Sequence, residues 1–211
     1  QIAGRAGRYL NDGTFGITGE CKEINAEDVN LLESHKFEEI QSLFWRNSNL
    51  NFDNPLFLLK SLDEKPNKKW LRKIHECEDE KAIKFFLKDK NFENIKFDKE
   101  KLRLLWECCQ IPDFVKKTYG NHYDVIGNVF KYLNSEKGKI TNDYMRLQLI
   151  KLDKLEGNVD SLSNRIANVR TWSYVSNKNN WIENQDYWIE KTKNLEDKLS
   201  DRLHEELTKT F

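Results

Sequence analysis

The side chains best placed for chemistry stand in the first eight residues. Gln1, Arg5 and Arg8 are set there among Ile2, Ala3, Gly4, Ala6 and Gly7. On a helix turning about 100° per residue, Gln1, Arg5 and Arg8 fall within roughly 60° of one another. Ala3, Ala6 and Gly7 fall on the other side. One face then offers two permanent positive charges and an amide, and the other is stripped of bulk for close approach. Two glycines in a short helix cost about 1 kcal/mol each relative to alanine, a penalty that points to a need for close backbone contact. Guanidinium forks match phosphate oxygens and keep their charge at any working pH. Cleavage of a nucleoside triphosphate needs such charge near the γ-phosphate as negative charge shifts in the transition state. A glycine-rich loop with solvated arginines is the competing reading of a bare GRxGR pattern.

The whole string is more specific than that pattern. Q-x-x-G-R-x-G-R, followed by Asp12-Gly13-Thr14-Phe15-Gly16-Ile17-Thr18, resembles motif VI of superfamily-two helicases in the form used by DExH-type RNA helicases. The extension is similar to the mitochondrial-degradosome RNA helicase family and its alphaproteobacterial relatives. In that family the motif closes the second RecA-like domain and faces ATP bound on the first. The resemblance implies that Arg8 is an arginine finger, Arg5 a second triphosphate contact and Gln1 a contact at the nucleotide edge. Gly4 and Gly7 match the spacing glycines. ATP and Mg2+ are the implied cofactors of the intact parent. RNA, single-stranded or duplex, is the implied partner, with an exoribonuclease as a further partner in some relatives. The compartment implied is the bacterial cytoplasm, or the mitochondrial matrix in a eukaryote.

Three later segments, 104–114, 165–177 and 195–211, look like helical C-terminal segments of the same family. They are less specific, because each is mostly a helix pattern. In the family these helices pack on the RecA-like core and help form the RNA channel.

The rest of the chain lacks the other half of that chemistry. No G-x-x-x-x-G-K-[ST] loop and no D-E-x-H or D-E-A-D box occurs in the 211 residues. The chain alone is therefore expected not to hydrolyse ATP. No methionine precedes Met145, so a fragment is expected. Thirty-five basic residues balance 35 acidic ones, which excludes bulk attraction to nucleic acid and leaves only local contacts. A mean hydropathy of −0.81 and short apolar runs argue against a membrane span. Cys21, Cys77, Cys108 and Cys109 form no C-x-x-C pair, so no zinc site is expected. Cys108 and Cys109 read as small buried hydrophobes. His35, His75, His122 and His204 are scattered, without metal spacing.

Positioning these residues calls for two parts: residues 1–20 as the end of a RecA-like domain, and residues 21–211 as a helical C-terminal domain. The expected fold is mainly α, attached to the last helix-strand edge of that α/β domain. Thr14–Thr18 has strand composition after the Asp12-Gly13 turn. Asn25 caps a helix carrying Val29, Leu31 and Leu32. A short helix through Leu56, Leu59 and Leu62 lies between Pro55 and Pro66. Glu78–Lys88 turns Ala82, Phe85 and Phe86 inward. Asp98 caps the next helix, through Leu102, Leu105, Trp106 and Cys109. A helix follows Pro112 to about Tyr119, and another spans Tyr123–Leu133. Thr141 caps a helix with Met145, Leu149 and Leu152. The last two run over Asp160–Ser176 and Asp186–Lys209. No internal repeat is evident.

Two further clusters have residue types suited to nucleic acid. On the Asp160–Ser176 helix, Arg165 and Arg170 suit phosphate, and Tyr174 or Trp172 suits base stacking. Against this, Trp172 shares the Leu162, Ile166 and Val169 stripe expected in the core. Lys65, Lys68, Lys69, Arg72 and Lys73 surround Trp70, but flanking acids favour a solvated charged face. Trp181, Tyr187 and Trp188 read as packing residues that fix the last helix. Two rival functions stay open: a stand-alone helical RNA-binding or adaptor module without catalysis, and a DNA helicase.

Overall fold

The computed structural model describes residues 6–7, 12–36, 39–92, 95–116 and 119–210. The chain divides into a small unit, Gln1–Phe44 with Asn67–Arg72, and a large unit, Trp45–Pro66 with Lys73–Phe211. Eight α-helices and one two-stranded sheet occur among the described residues, so the protein is mainly α. The helices are α1 (Ala26–Glu33), α2 (Pro55–Asp63), α3 (Glu78–Phe86), α4 (Lys99–Cys109), α5 (Tyr119–Leu133), α6 (Asn142–Ile150), α7 (Val159–Ser176) and α8 (Gln185–Thr210). The strands are β1 (Leu43–Trp45) and β2 (Leu71–Lys73). They run parallel. The Leu43 amide donates to the Trp70 carbonyl (2.9 Å), and the Ile74 amide to the Trp45 carbonyl (3.0 Å).

Side-chain caps start most of these helices. Asn25, Asn54, Asp98, Thr141 and Asn158 each accept a bond from the amide three residues on, satisfying one orphan donor per helix. Pro55 opens α2 at the position where its missing N–H costs nothing. Residues 112–116 are irregular, and α5 begins only at Tyr119, so the helix expected after Pro112 does not form. There Asp113 folds the chain into a side-chain turn, its Oδ1 accepting from the Val115 and Lys116 amides (both 3.0 Å). Lys116 then takes a left-handed φ of 53°, which no helix carries. Residues 14–18 form no strand: among the described residues no strand pairs with them, and an unpaired strand has no ladder to hold it.

In the large unit α2 to α8 share one core. Leu58, Leu62, Ile83, Leu102, Leu105, Ile126, Phe130, Met145, Leu162 and Leu199 are almost entirely buried. Two inward faces differ from the expected ones. In α2 Leu58 and Leu62 face the core and Leu56 faces solvent; in α3 Ile83 is buried and Phe85 is exposed. In α3 the positions one turn apart that point inward are Ala82, Ile83 and Phe86, and Phe85 lies over Tyr123 with ring centroids 4.7 Å apart.

Helices α5–α6 and α7–α8 form two helix-loop-helix pairs whose loops, 134–141 and 177–184, have the same length. Each loop has a left-handed residue, Gly138 (φ 61°) and Asn180 (φ 63°), followed two residues later by a buried isoleucine. Ile140 and Ile182 pair in a parallel bridge: the Ile140 amide donates to the Trp181 carbonyl (2.8 Å) and the Glu183 amide to the Ile140 carbonyl (3.0 Å). Trp188 adds a bond from its indole nitrogen to Asn142 Oδ1 (2.8 Å). The two loops share this turn-then-isoleucine pattern, although Gly138 is the fifth residue of its loop and Asn180 the fourth of the other, where Asn184 is left-handed as well.

The α7 stripe is buried as its spacing requires, with Trp172 packed edge-on to Tyr144 at 5.8 Å. Trp172→Ala is expected to lower unfolding free energy by about 3–5 kcal/mol through the cavity it leaves, read from urea denaturation followed by circular dichroism.

Candidate functional site

Gln1, Gly4, Arg5 and Arg8 lie outside the described residues. Of the motif, Ala6 and Gly7 are described. Gly7 has φ 90°, a left-handed conformation that an α-helix does not contain, so the expected helix does not continue through it. The glycine requirement there is local. A Cβ on Gly13 would collide with the Ala6–Gly7 peptide, the Gly7 Cα lying 2.7 Å from its position. The close approach is between Gly13 and the Ala6–Gly7 peptide of the same chain.

Helix α7 places Arg165 and Arg170 on different sides, about 140° apart. Each has an intramolecular partner. Arg165 Nη1 donates to the Lys154 carbonyl (2.8 Å) and the Glu156 carbonyl (2.5 Å), fastening the α6–α7 connection. Arg170 Nε donates to Glu196 Oε1 (2.8 Å) and ties α7 to α8. Tyr174 is half-buried, with Lys178 Nζ 5.0 Å from its ring centroid. Trp181 and Trp188 are buried as expected, but Tyr187 is 57% exposed. Its ring stands edge-on to Trp188 rather than under the helix.

A cavity of about 730 Å³ opens between the start of α3, the end of α4 and α5, and Cys77, Asp79, Ile111, Asp113, His122 and Tyr123 line it. Its reactive groups are engaged elsewhere. His122 Nε2 donates to the Ile111 carbonyl (2.9 Å). Asp79 holds Arg46 in a bidentate pair (2.8 and 2.9 Å). Burial pushes the Cys77 thiol upward, and it pushes Cys108 and Cys109 far higher. A thiol kept protonated is a poor nucleophile. The cavity shows no nucleophile-base pair among the described residues, and no three His, Cys, Asp or Glu residues converge there as metal ligands. It is a binding hollow in its geometry, not an assembled reaction centre.

Arg46 is the functional-type residue that the sequence reading missed. Its partners stand 33 residues away, and no local spacing signals them. The guanidinium lies 5.2 Å from the Trp106 ring centroid and 3.5 Å, by Nε, from Glu80 Oε1. Glu80 is 1% exposed, and Oε1 has no hydrogen-bond donor. Burial raises its pKa, and the attraction of Arg46 offsets this only in part.

In sequence and structure comparisons the chain matches no family model, no curated protein and no solved structure. Among the described residues no helix is long and apolar enough to cross a membrane.

Two outcomes follow from these contacts. Arg165→Ala should destabilise the protein by about 1–3 kcal/mol, since two carbonyls lose a charged donor. Arg170→Ala, at a surface pair, should cost at most about 1 kcal/mol. Paired thermal and urea melts check both. Glu80 has the higher pKa in the folded state, so it favours folding when protonated. That contribution is full below the unfolded carboxylate value and is lost as pH rises through the raised folded value. Glu80→Gln should therefore be more stable than the parent protein at pH 7, with the gap closing on acidification toward pH 4. Denaturation midpoints across that range measure it, and a gap independent of pH would assign the effect to packing.

Proposed function

We propose that the chain is the C-terminal part of an ATP-dependent RNA helicase of the DExH type. The observation that carries this reading is the spacing of Gln1, Gly4, Arg5, Gly7 and Arg8, followed by Asp12–Thr18. Two arginines three apart, with a glutamine four before the first, are a set matched to the edge and phosphates of a nucleotide. In the intact enzyme ATP and Mg2+ are held chiefly by an upstream RecA-like domain. Arg8 and Arg5 reach the β- and γ-phosphates from the second such domain. Arg8 stabilises the charge that develops on the transferred phosphoryl group, and Arg5 helps hold the triphosphate. Hydrolysis then reopens the cleft and moves the enzyme along single-stranded RNA. The α-helical unit contributes helices to the RNA channel, with Arg165, Arg170 and Tyr174 as minor contacts.

Support also comes from residues 12–18. Thr14, Ile17 and Thr18 are exposed and lie in no strand among the described residues, and the reading supplies the RecA-like sheet that would cover them. The rival, an adaptor module without catalysis, draws on the large unit's continuous core, which closes on its own side chains.

The upstream coding sequence separates these readings. A Walker A loop and a DExH box within about 300 residues before Gln1, the span of two ordinary domains, are expected. A start codon immediately before Gln1 would remove the helicase reading. In the intact enzyme, Arg8→Ala should lower kcat for RNA-stimulated ATP hydrolysis by roughly 10³-fold or more. Arg8→Lys should fail to restore it, because the fork is lost. A near-normal kcat in either variant would take Arg8 out of the ATP site.

A further inference from the structure

Within the small unit, the residues before β1 and those leading into β2 present an apolar groove, with Lys68 beside Trp70 and Lys69 and Arg72 exposed in the same segments. The groove, about 340 Å³, is lined by Ile40, Ser42, Leu43 and Trp70. Its apolar side chains are open to solvent: Ile40 is 80% exposed, Leu43 50% and Trp70 49%. Phe44, beside them on β1, is 72% exposed. Single exposed hydrophobes are ordinary, but Ile40, Leu43 and Trp70 around one hollow mark an interaction surface, with Phe44 presented on the other face of β1.

The sheet itself has an open edge. Ladder bonds use the main chain of Leu43 and Trp45. By the alternation of a parallel ladder, the amide and carbonyl of Phe44 then face away from β2. No third strand covers them among the described residues. An unpaired edge of this kind accepts an added strand.

Charge selects the occupant. Lys68, Lys69 and Arg72 are exposed here, against one exposed acid, Glu39, in residues 39–44 and 67–72 as described. Lys69 and Arg72 make no ion pair among the described residues. The register that sets Leu43 against Leu71 places Phe44 beside Arg72 on one face.

We infer that this groove and edge bind an extended, acidic peptide segment of a partner protein. One large apolar side chain of the peptide fills the hollow between Ile40, Leu43 and Trp70. Its carboxylates face Lys68, Lys69 and Arg72, and its main chain pairs with Phe44. Nucleic acid fits less well. Lys68 Nζ stands 5.2 Å from the Trp70 ring centroid, covering the face on which a base would stack, and Ile40 and Leu43 offer no stacking surface. The inference does not rest on the helicase reading.

The test uses the 211-residue chain and a fluorescein-labelled heptapeptide that alternates glutamate with leucine and phenylalanine. Fluorescence anisotropy should show saturable binding that weakens as salt is raised. A peptide with lysine in place of glutamate should not bind. The double change Lys68→Glu, Arg72→Glu should weaken binding by roughly tenfold or more. Trp70→Ser, which leaves every charge in place, should weaken it too and serves if the charge-reversed protein does not fold. Hydrogen exchange at the Phe44 amide should slow in the complex. Absence of peptide binding overturns the proposal, as does equal affinity in the Trp70→Ser protein. Displacement of the peptide by an equally charged oligouridylate would assign the surface to nucleic acid. Sedimentation showing a dimer that Phe44→Ser dissociates would assign it to a second copy of the chain.

Discussion

The large unit depends on one dry hydrogen-bonded junction. Ile140 and Ile182 are at most 1% exposed, so their main chains have no water to turn to. An amide or carbonyl buried without a partner is costly. The second loop meets that need for the first: the Ile140 amide and carbonyl are both satisfied by residues flanking Ile182. Asn142 extends the junction, its amide donating to Glu183 Oε2 (3.1 Å) while its side chain accepts from Trp188. Neither helix pair can close this loop alone. The junction therefore couples α5–α6 to α7–α8 at their loops.

Past that junction α8 changes character. Its leucines repeat every four residues, yet only Leu195 and Leu199 are fully buried, while Leu203 and Leu207 are partly covered. The final turns combine helix-surface pairs with one bond to the α6–α7 connection, from Arg202 Nε to the Leu155 carbonyl (3.3 Å). Arg202 reaches Glu205 and Glu206, and Lys209 reaches Glu206. Such pairs are each worth only a few tenths of a kcal/mol, so the end of α8 is held far less firmly than its beginning.

Local rules made the helices legible, and long-range contacts were not. The capping residues Asn25, Asp98 and Thr141 announce their helices because the capping bond spans three residues. The stripe Leu162, Ile166, Val169 and Trp172 is readable because burial follows the helical period. By contrast, β2 lies in a lysine-rich stretch whose composition suggests a loop, and it is a strand only because β1 pairs with it. Phe85 and Ile83 are both plausible inward residues of α3, and packing against neighbours decides between them. The Ile140–Ile182 bridge joins residues 42 apart, beyond any periodic signal. Of the candidate site, Arg165 and Arg170 were legible as cations, but their carbonyl and carboxylate partners were not.

Those partners determine where an external ligand can be met. A cation already engaged must break its internal bonds before it can hold a phosphate or a carboxylate. In the large unit Arg46, Arg165, Arg170 and Arg202 all have such bonds. The Arg46 case is the strictest, because releasing it would also leave buried Glu80 facing a low-dielectric core without its cation. In the small unit Lys69 and Arg72 make no ion pair among the described residues and stand in solvent. Binding there requires only the displacement of water and counterions, so the net gain from each contact is not reduced by a lost internal one. The same reasoning bears on the arginines of α7. Arg165 would exchange two carbonyls for one phosphate, whereas Arg170, half-exposed at 52% and held by one carboxylate, could turn outward at small cost. Of the two, Arg170 meets a phosphate at the smaller cost, because Arg165 must first release the carbonyls that fasten the α6–α7 connection.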